Sequence, residues 1–122
     1  MVARFEFRTS GRIVFGKGVL QEAGELAHAM GRRSLIVTGR DPSRSAMLEG
    51  LLDAHGIRAE RFSLPGEPTI SDIRSGVSRV RSMHADFIIA FGGGSALDGG
   101  KAIAALATNP GDPLEYLEVI GQ

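Results

Sequence analysis

Phe87-Ile88-Ile89-Ala90-Phe91-Gly92-Gly93-Gly94-Ser95-Ala96-Leu97-Asp98-Gly99-Gly100-Lys101 is the stretch whose reading decides the fold. Five apolar residues in a row, bounded by a glycine run, read as a strand covered on both faces, which is the habit of parallel sheets. The Ala- and Leu-containing segment that follows reads as a helix. Three glycines between them let the backbone turn sharply and let a ligand approach N–H groups with no Cβ in the way. The helix points its free N–H groups and positive dipole end into that turn. A strand, a glycine turn and a helix N-terminus together form an anion cradle, and ligands of open α/β sheets bind at the carboxyl ends of strands.

Counting excludes two familiar versions of such a turn. A P-loop ending at Gly100-Lys101 needs glycine at position 95, where Ser95 stands, and Ser or Thr after the lysine, where Ala102 stands. The common dinucleotide fingerprint starting at Gly92-x-Gly94 needs Gly or Ala at position 97, where Leu97 stands, and belongs in the first βα unit, not the last. Within the turn, Asp98 can cap the helix or accept hydrogen bonds from a ribose or carboxamide. It cannot bind phosphate without a metal, because the two anions repel. Lys101, one turn further on, can pair with Asp98 on the surface or reach an anion bound at the turn.

Upstream, the same grammar repeats. Arg4–Arg8 and Arg12–Phe15 read as a β-hairpin around Thr9-Ser10-Gly11, and Val19 to Met30 as a helix stopped by Gly31. Arg33–Thr38 reads as a buried strand ended by Gly39-Arg40-Asp41-Pro42, and Ser45–His55 as a helix before Gly56. Ile57–Ser63 is half polar and suits a sheet edge. Pro65-Gly66-Glu67-Pro68 is a loop, and Thr69 with Asp72 forms a capping pattern for a helix over Ile70–Met83. The alternation predicts an α/β, Rossmann-like, mostly parallel sheet with helices on both faces, preceded by a β-hairpin. Asn109-Pro110-Gly111-Asp112-Pro113 breaks the last helix. This places one α/β domain at 1–108 and a linker at 109–122.

Composition narrows the function. In 122 residues, 43% apolar side chains fill one core, while 14 Lys and Arg against 14 Asp and Glu leave no surplus for a nucleic-acid footprint. The absence of cysteine excludes disulfides and thiolate zinc sites. No apolar run approaches a membrane span, so a cytoplasmic protein is expected. His28, His55 and His84 belong to different elements with no i, i+4 pair, and no metal site is expected within the chain. The segment after Thr38 lacks the acidic pair of a signalling receiver.

Gly92-Gly93-Gly94-Ser95 with Asp98 and Lys101, Pro68-Thr69 upstream, and the entry segment Gly11-Arg12-Ile13-Val14-Phe15-Gly16 resemble the iron-containing (group III) alcohol dehydrogenases. The similarity spans nearly the whole chain and extends to maleylacetate reductase, glycerol dehydrogenase and dehydroquinate synthase, whose N-terminal domain shares the expected fold. The resemblance implies an NAD- or NADP-binding domain with Gly93, Gly94 and Ser95 at the pyrophosphate and Asp98 toward the nicotinamide. It implies that Gly39, Arg40, Pro68, Thr69, Gly92 and Lys101 contribute to the cofactor site, and that this chain carries no catalytic residue of its own. It also implies a second, helical domain that binds iron or zinc through Asp and His and lines the alcohol or aldehyde pocket. The 122 residues are then a truncation, not competent in hydride transfer alone. Many relatives are acidic where Gly39 stands; glycine there removes repulsion of a 2′-phosphate, and Arg40 or Arg44 can pair with it, which favours NADP. Asp41 remains a candidate ribose acceptor. A stand-alone nucleotide- or phosphate-binding module and a maleylacetate reductase-like fragment are the alternatives. The helix over Ala96–Ala107 has almost no polar face, so contact with a second domain or another subunit is expected.

Overall fold

The computed structural model describes residues 5–8, 12–15, 19–108 and 114–120, with side chains from residue 23 on except at 42, 44 and 120. The turn at 9–11, the segment 16–18, the break at 109–113 and the Arg44 side chain lie outside the described residues.

Six strands form one sheet in the order β1-β2-β6-β5-β3-β4. The hairpin is present: β1 (Phe5–Arg8) pairs antiparallel with β2 (Arg12–Phe15), and every other neighbouring pair is parallel. After α1 (Val19–His28), β3 (Arg33–Thr38) enters the sheet, followed by a short 3-10 turn at Pro42–Ser45, α2 (Ala46–Ala54) and β4 (Arg58–Ser63). Then come α3 (Ile70–Met83), β5 (Phe87–Phe91), α4 (Gly94–Ala107) and β6 (Glu115–Ile120).

The pair β3 and β5 is registered Leu35 to Ile88, Ile36 to Ile89 and Val37 to Ala90. Because successive side chains point to opposite faces, this pair feeds two cores. Leu35, Val37, Ile88 and Ala90 pack with Ile73, Val77 and Val80 of α3 and Ile103 and Ala104 of α4. Ile36, Phe87 and Ile89 pack with Ala23 and Ala27 of α1 and Leu48 and Leu52 of α2. The start of the pair is tied by Asp86, whose carboxylate accepts from the N–H groups of Arg32 and Arg33 at 2.8 and 3.0 Å. Gly31 precedes them with φ 151°, and a Cβ there would strike Asp86.

As its half-polar sequence suggests, β4 is an edge. Its charges are used on the surface: Glu60 pairs with Arg79 at 2.7 Å and Arg61 with Glu49 at 2.9 Å. Such charges discourage further strand pairing. At the start of α3, the Thr69 hydroxyl accepts from the Asp72 N–H and the Asp72 carboxylate from the Thr69 N–H, a complete capping box. Glycines 76, 99 and 100 serve packing. A Cβ at Gly76 would collide with Ile103, one at Gly99 with Leu64, and one at Gly100 would lie 2.8 Å from the Ala90 Cβ.

One boundary is corrected. The stretch from 109 to 122, expected to be a linker, contains β6, which lies between β2 and β5 with Tyr116, Leu117, Glu118 and Val119 buried. The sheet thus continues past residue 108. Two glutamates in Glu115-Tyr116-Leu117-Glu118 mask the strand in the sequence, because a carboxylate normally signals solvent and Glu118 is buried here.

Truncating Ile89 to Ala removes a side chain from the core shared with α1 and α2 and is expected to cost about 2–5 kcal/mol. Thr69→Ala, which removes only one cap acceptor, is expected to cost about 1 kcal/mol. Urea unfolding of the two variants beside the unaltered chain measures both, and the order of the two effects is the check.

Candidate cofactor-binding site

Thr38 and Phe91 are register partners at the carboxyl ends of β3 and β5. Beyond them the chain diverges. The path after β3 leads to α2 on the face where Leu48 and Leu52 pack, whereas that after β5 leads to α4 on the face of Ile103. Crossovers leaving neighbouring strands toward opposite faces open a crevice between the two loops. In it lies a cavity of about 370 Å³ lined by Gly39 and Arg40, by Leu64, Pro65 and Gly66, and by Gly93, Gly94, Ser95 and Ala96.

The turn is built by backbone geometry. Gly92 has φ 138°, a value that side-chain-bearing residues avoid. Gly93 is extended at the N-cap of α4 and accepts from the Leu97 N–H at 3.1 Å, but no side chain caps this helix. The N–H groups that open an α-helix have no partner within it, and here they border the cavity. A Cβ at Gly39, Gly93 or Gly94 would meet nothing within 4 Å. The opposite wall is fixed by Leu64 N–H donating to Thr38 C=O at 2.9 Å and by Arg40, whose Nε donates to Pro65 C=O at 3.0 Å.

Of the residues expected to bind a cofactor, Gly39, Arg40, Gly93, Gly94 and Ser95 line this one cavity, with Gly92 at its hinge. Pro68 packs toward Gly99, and the Thr69 hydroxyl is occupied in its capping box. Asp98 is exposed on α4. Lys101 lies 3.8 Å from the Glu118 carboxylate, its side chain 58% exposed. Asp41 is engaged locally, accepting from the Ser43 N–H at 3.1 Å and the Ser43 hydroxyl at 2.6 Å. The wall formed by Leu64, Pro65 and Gly66 is legible in the sequence only as a loop, since nothing local brings it to the glycine turn.

The family described as iron-containing alcohol dehydrogenase matches residues 10–122. The chain belongs to the iron-containing alcohol dehydrogenase family. It is 36% identical over 104 residues to the "Probable alcohol dehydrogenase EutG" of Escherichia coli K12, covering 81% of this chain and 26% of that protein. It is 33% identical over 122 residues to the NADPH-dependent aldehyde reductase YqhD of the same organism, covering 97% and 32%. In fold it resembles the crystal structure of NADH-dependent butanol dehydrogenase A from Thermotoga maritima, with TM-score 0.74, 26% identity, and coverage of 95% of this chain and 34% of that one. The chain thus spans about a quarter to a third of the length of these iron-containing alcohol dehydrogenase relatives.

The iron that names the family finds no ligand set here: among the described residues no three His, Cys, Asp or Glu side chains come together as an ion requires. The His55 Nδ1 is within 2.9 Å of the Leu51 carbonyl and the His28 Nδ1 within 3.3 Å of the His55 carbonyl. Among the described residues no helix is long and apolar enough to cross a membrane. The nucleotide of the dehydrogenase family is a different case, because the uncapped helix start and the open space over Gly93 and Gly94 match the needs of a bound pyrophosphate.

Behind the turn lies a polar group that sequence reading does not single out. The Tyr116 hydroxyl is 2.7 Å from the Glu118 carboxylate and 3.0 Å from the Leu97 carbonyl. Burial, then the hydrogen bond and charge of Glu118, then the charge of Asp98, raise its pKa far above the usual 10.0. An acid whose pKa is raised by folding keeps its proton in the native state while the unfolded chain loses it. Stability is therefore complete below the unfolded value and falls as pH climbs above about 10. Urea midpoints measured from pH 9 to 11 are expected to fall for the unaltered chain, and less steeply for Tyr116→Phe.

Proposed function

We propose that the cavity binds a nicotinamide dinucleotide, and that the chain is the cofactor-binding domain of an oxidoreductase acting on an alcohol or aldehyde. The observation that carries this reading is the uncapped N-terminus of α4 opening onto the crevice between β3 and β5. Free N–H groups and the helix dipole there favour a diphosphate, and the glycines leave room for it. Pro65 offers an apolar wall on the side of Gly39.

The nicotinamide, when bound, supplies the carbon that gives or takes the hydride. This chain's residues hold and orient it: the Gly93, Gly94 and Ser95 backbone at the pyrophosphate, and Asp98, further along α4, toward the nicotinamide end. Gly92 sets the turn, Pro68 and Thr69 hold the start of α3 near it, and Lys101 adds positive charge to the same helix. The metal and the substrate pocket belong to a further domain of the kind that makes the relatives three to four times longer. That domain, or another copy of the chain, covers the exposed face of α4, where Leu106 is 61% exposed. We place the protein in the cytoplasm, where nicotinamide dinucleotides circulate.

The reading extends to a preference for NADP. YqhD is by its name NADPH-dependent and the Thermotoga protein NADH-dependent, so kinship does not choose between them. The local chemistry supports NADP. Gly39 puts no carboxylate at the end of β3, and the Asp41 Oδ1 accepts from the Ser43 N–H and hydroxyl. Arg40 is anchored through Nε, and its terminal nitrogens have no ion pair among the described residues. A guanidinium held in this way suits a 2′-phosphate.

Isothermal titration with NADP⁺ and NAD⁺ tests both levels. NADP⁺ is expected to bind more tightly, and Arg40→Ala to erase about tenfold of that advantage while leaving NAD⁺ unaffected. Gly93→Leu, which fills the cavity, is expected to abolish binding of both with little change in stability. Tighter NAD⁺ binding that ignores Arg40→Ala overturns the preference; full nucleotide affinity in Gly93→Leu overturns the site.

A further inference from the structure

The turn at Gly92–Gly94 has a mechanical problem. Three successive glycines and an uncapped helix start give this backbone no local device to hold it, yet a bound diphosphate needs its N–H groups fixed in place. The restraint has to come from elsewhere in the molecule. Leu97, in the first turn of α4, already offers its carbonyl to the helical hydrogen bond from position 101. It also accepts the Tyr116 hydroxyl at 3.0 Å, from a strand in the middle of the sheet. The Tyr116 ring reaches this position because position 100 is glycine: a Cβ there would lie 3.3 Å from the Tyr116 Cε1.

A tyrosine buried only for packing needs one partner, and Glu118 at 2.7 Å already provides it. The second contact, to a carbonyl of the turn-bearing helix, is the unexpected one. Glu118, its side chain 7% exposed, is in turn approached by Lys101 of α4 at 3.8 Å. The one phenolic proton is shared between the Glu118 carboxylate and the Leu97 carbonyl, so strand and helix are joined by this shared hydrogen bond and by the carboxylate facing Lys101.

We propose that Tyr116, supported by Glu118 and Lys101, is a positioning residue for the cofactor turn: from β6 it fixes the first turn of α4, and with it the N–H groups that receive the diphosphate. The proposal rests on the nucleotide reading given above. It makes β6 part of the binding machinery without contact with the ligand, and it gives Lys101 a role as a clamp on Glu118.

The test measures NADP⁺ and inorganic pyrophosphate binding by calorimetry, well below the unfolding temperature. The proteins are the unaltered chain, Tyr116→Phe, and Val77→Ala, a core change in α3 away from the turn. Tyr116→Phe is expected to weaken both ligands about fivefold, the scale of one hydrogen bond, and Val77→Ala to leave affinity unchanged while lowering stability. Equal affinity in Tyr116→Phe and the unaltered chain, or an equal loss in Val77→Ala, overturns the positioning role alone. Failure of the unaltered chain to bind either ligand overturns the nucleotide reading and this proposal with it. Should Tyr116→Phe not fold, 3-fluorotyrosine at this single tyrosine decides: a ¹⁹F shift on adding pyrophosphate supports the coupling, and an unmoved resonance in a ligand-saturated chain overturns it.

Discussion

The parallel pairing of β3 with β5 is the constraint on which the remaining structure depends. Leu35, Ile36, Val37, Ile88 and Ile89 are all fully buried, so this pair is the hydrophobic seam of the molecule and cannot slip in register without exposing an entire face. Its place in the sheet, with β4 on one side and β6, β2 and β1 on the other, also dictates topology. The chain turns from β3 toward one edge, and from β5 toward the other. The loops at the ends of the two strands therefore part, and the crevice is a consequence of how the core is connected, not an addition to it.

That origin explains a division of labour among glycines. Gly93 and Gly94 face the crevice, where the absence of Cβ atoms leaves room. Gly76, Gly99 and Gly100 face inward, and their absent side chains admit Ile103, Leu64 and Tyr116. Glycine inside a helix costs about 1 kcal/mol relative to alanine, and α4 carries two such residues in succession. The cost is offset by close approach of α4 to β5 and β6, which holds the anion-facing helix start near the end of β5.

Much of this was legible in the sequence because the signals were local. Phe87–Phe91 is apolar without interruption, Thr69 and Asp72 have capping spacing, and the half-polar 57–63 run announces an edge. Each depends on residues within one element. The missed features depend on contacts between elements. β6 was hidden because Glu118 looks like a surface residue until Tyr116 and Lys101 are placed beside it. The Leu64–Gly66 wall was hidden because only the sheet brings it to Gly93. The grouping of Gly39, Arg40, Gly93, Gly94 and Ser95 was legible through family resemblance, not spacing, since more than fifty residues of chain separate Arg40 from Gly93.

Glu118 shows why contacts of this second kind persist. Burying a carboxylate costs several kcal/mol unless hydrogen bonds and opposite charge offset it, so an apolar residue at this position would fill the strand more simply. The carboxylate provides what an apolar side chain cannot: a directional bond to the Tyr116 hydroxyl and an attraction for Lys101 on α4. Both act across the boundary between sheet and helix, next to a turn whose glycines make it compliant. A stiff seam at β3 and β5, a compliant turn at its end, and a polar clamp behind that turn form a consistent arrangement. The core sets where the crevice lies, and the clamp limits how far its anion-facing edge can move.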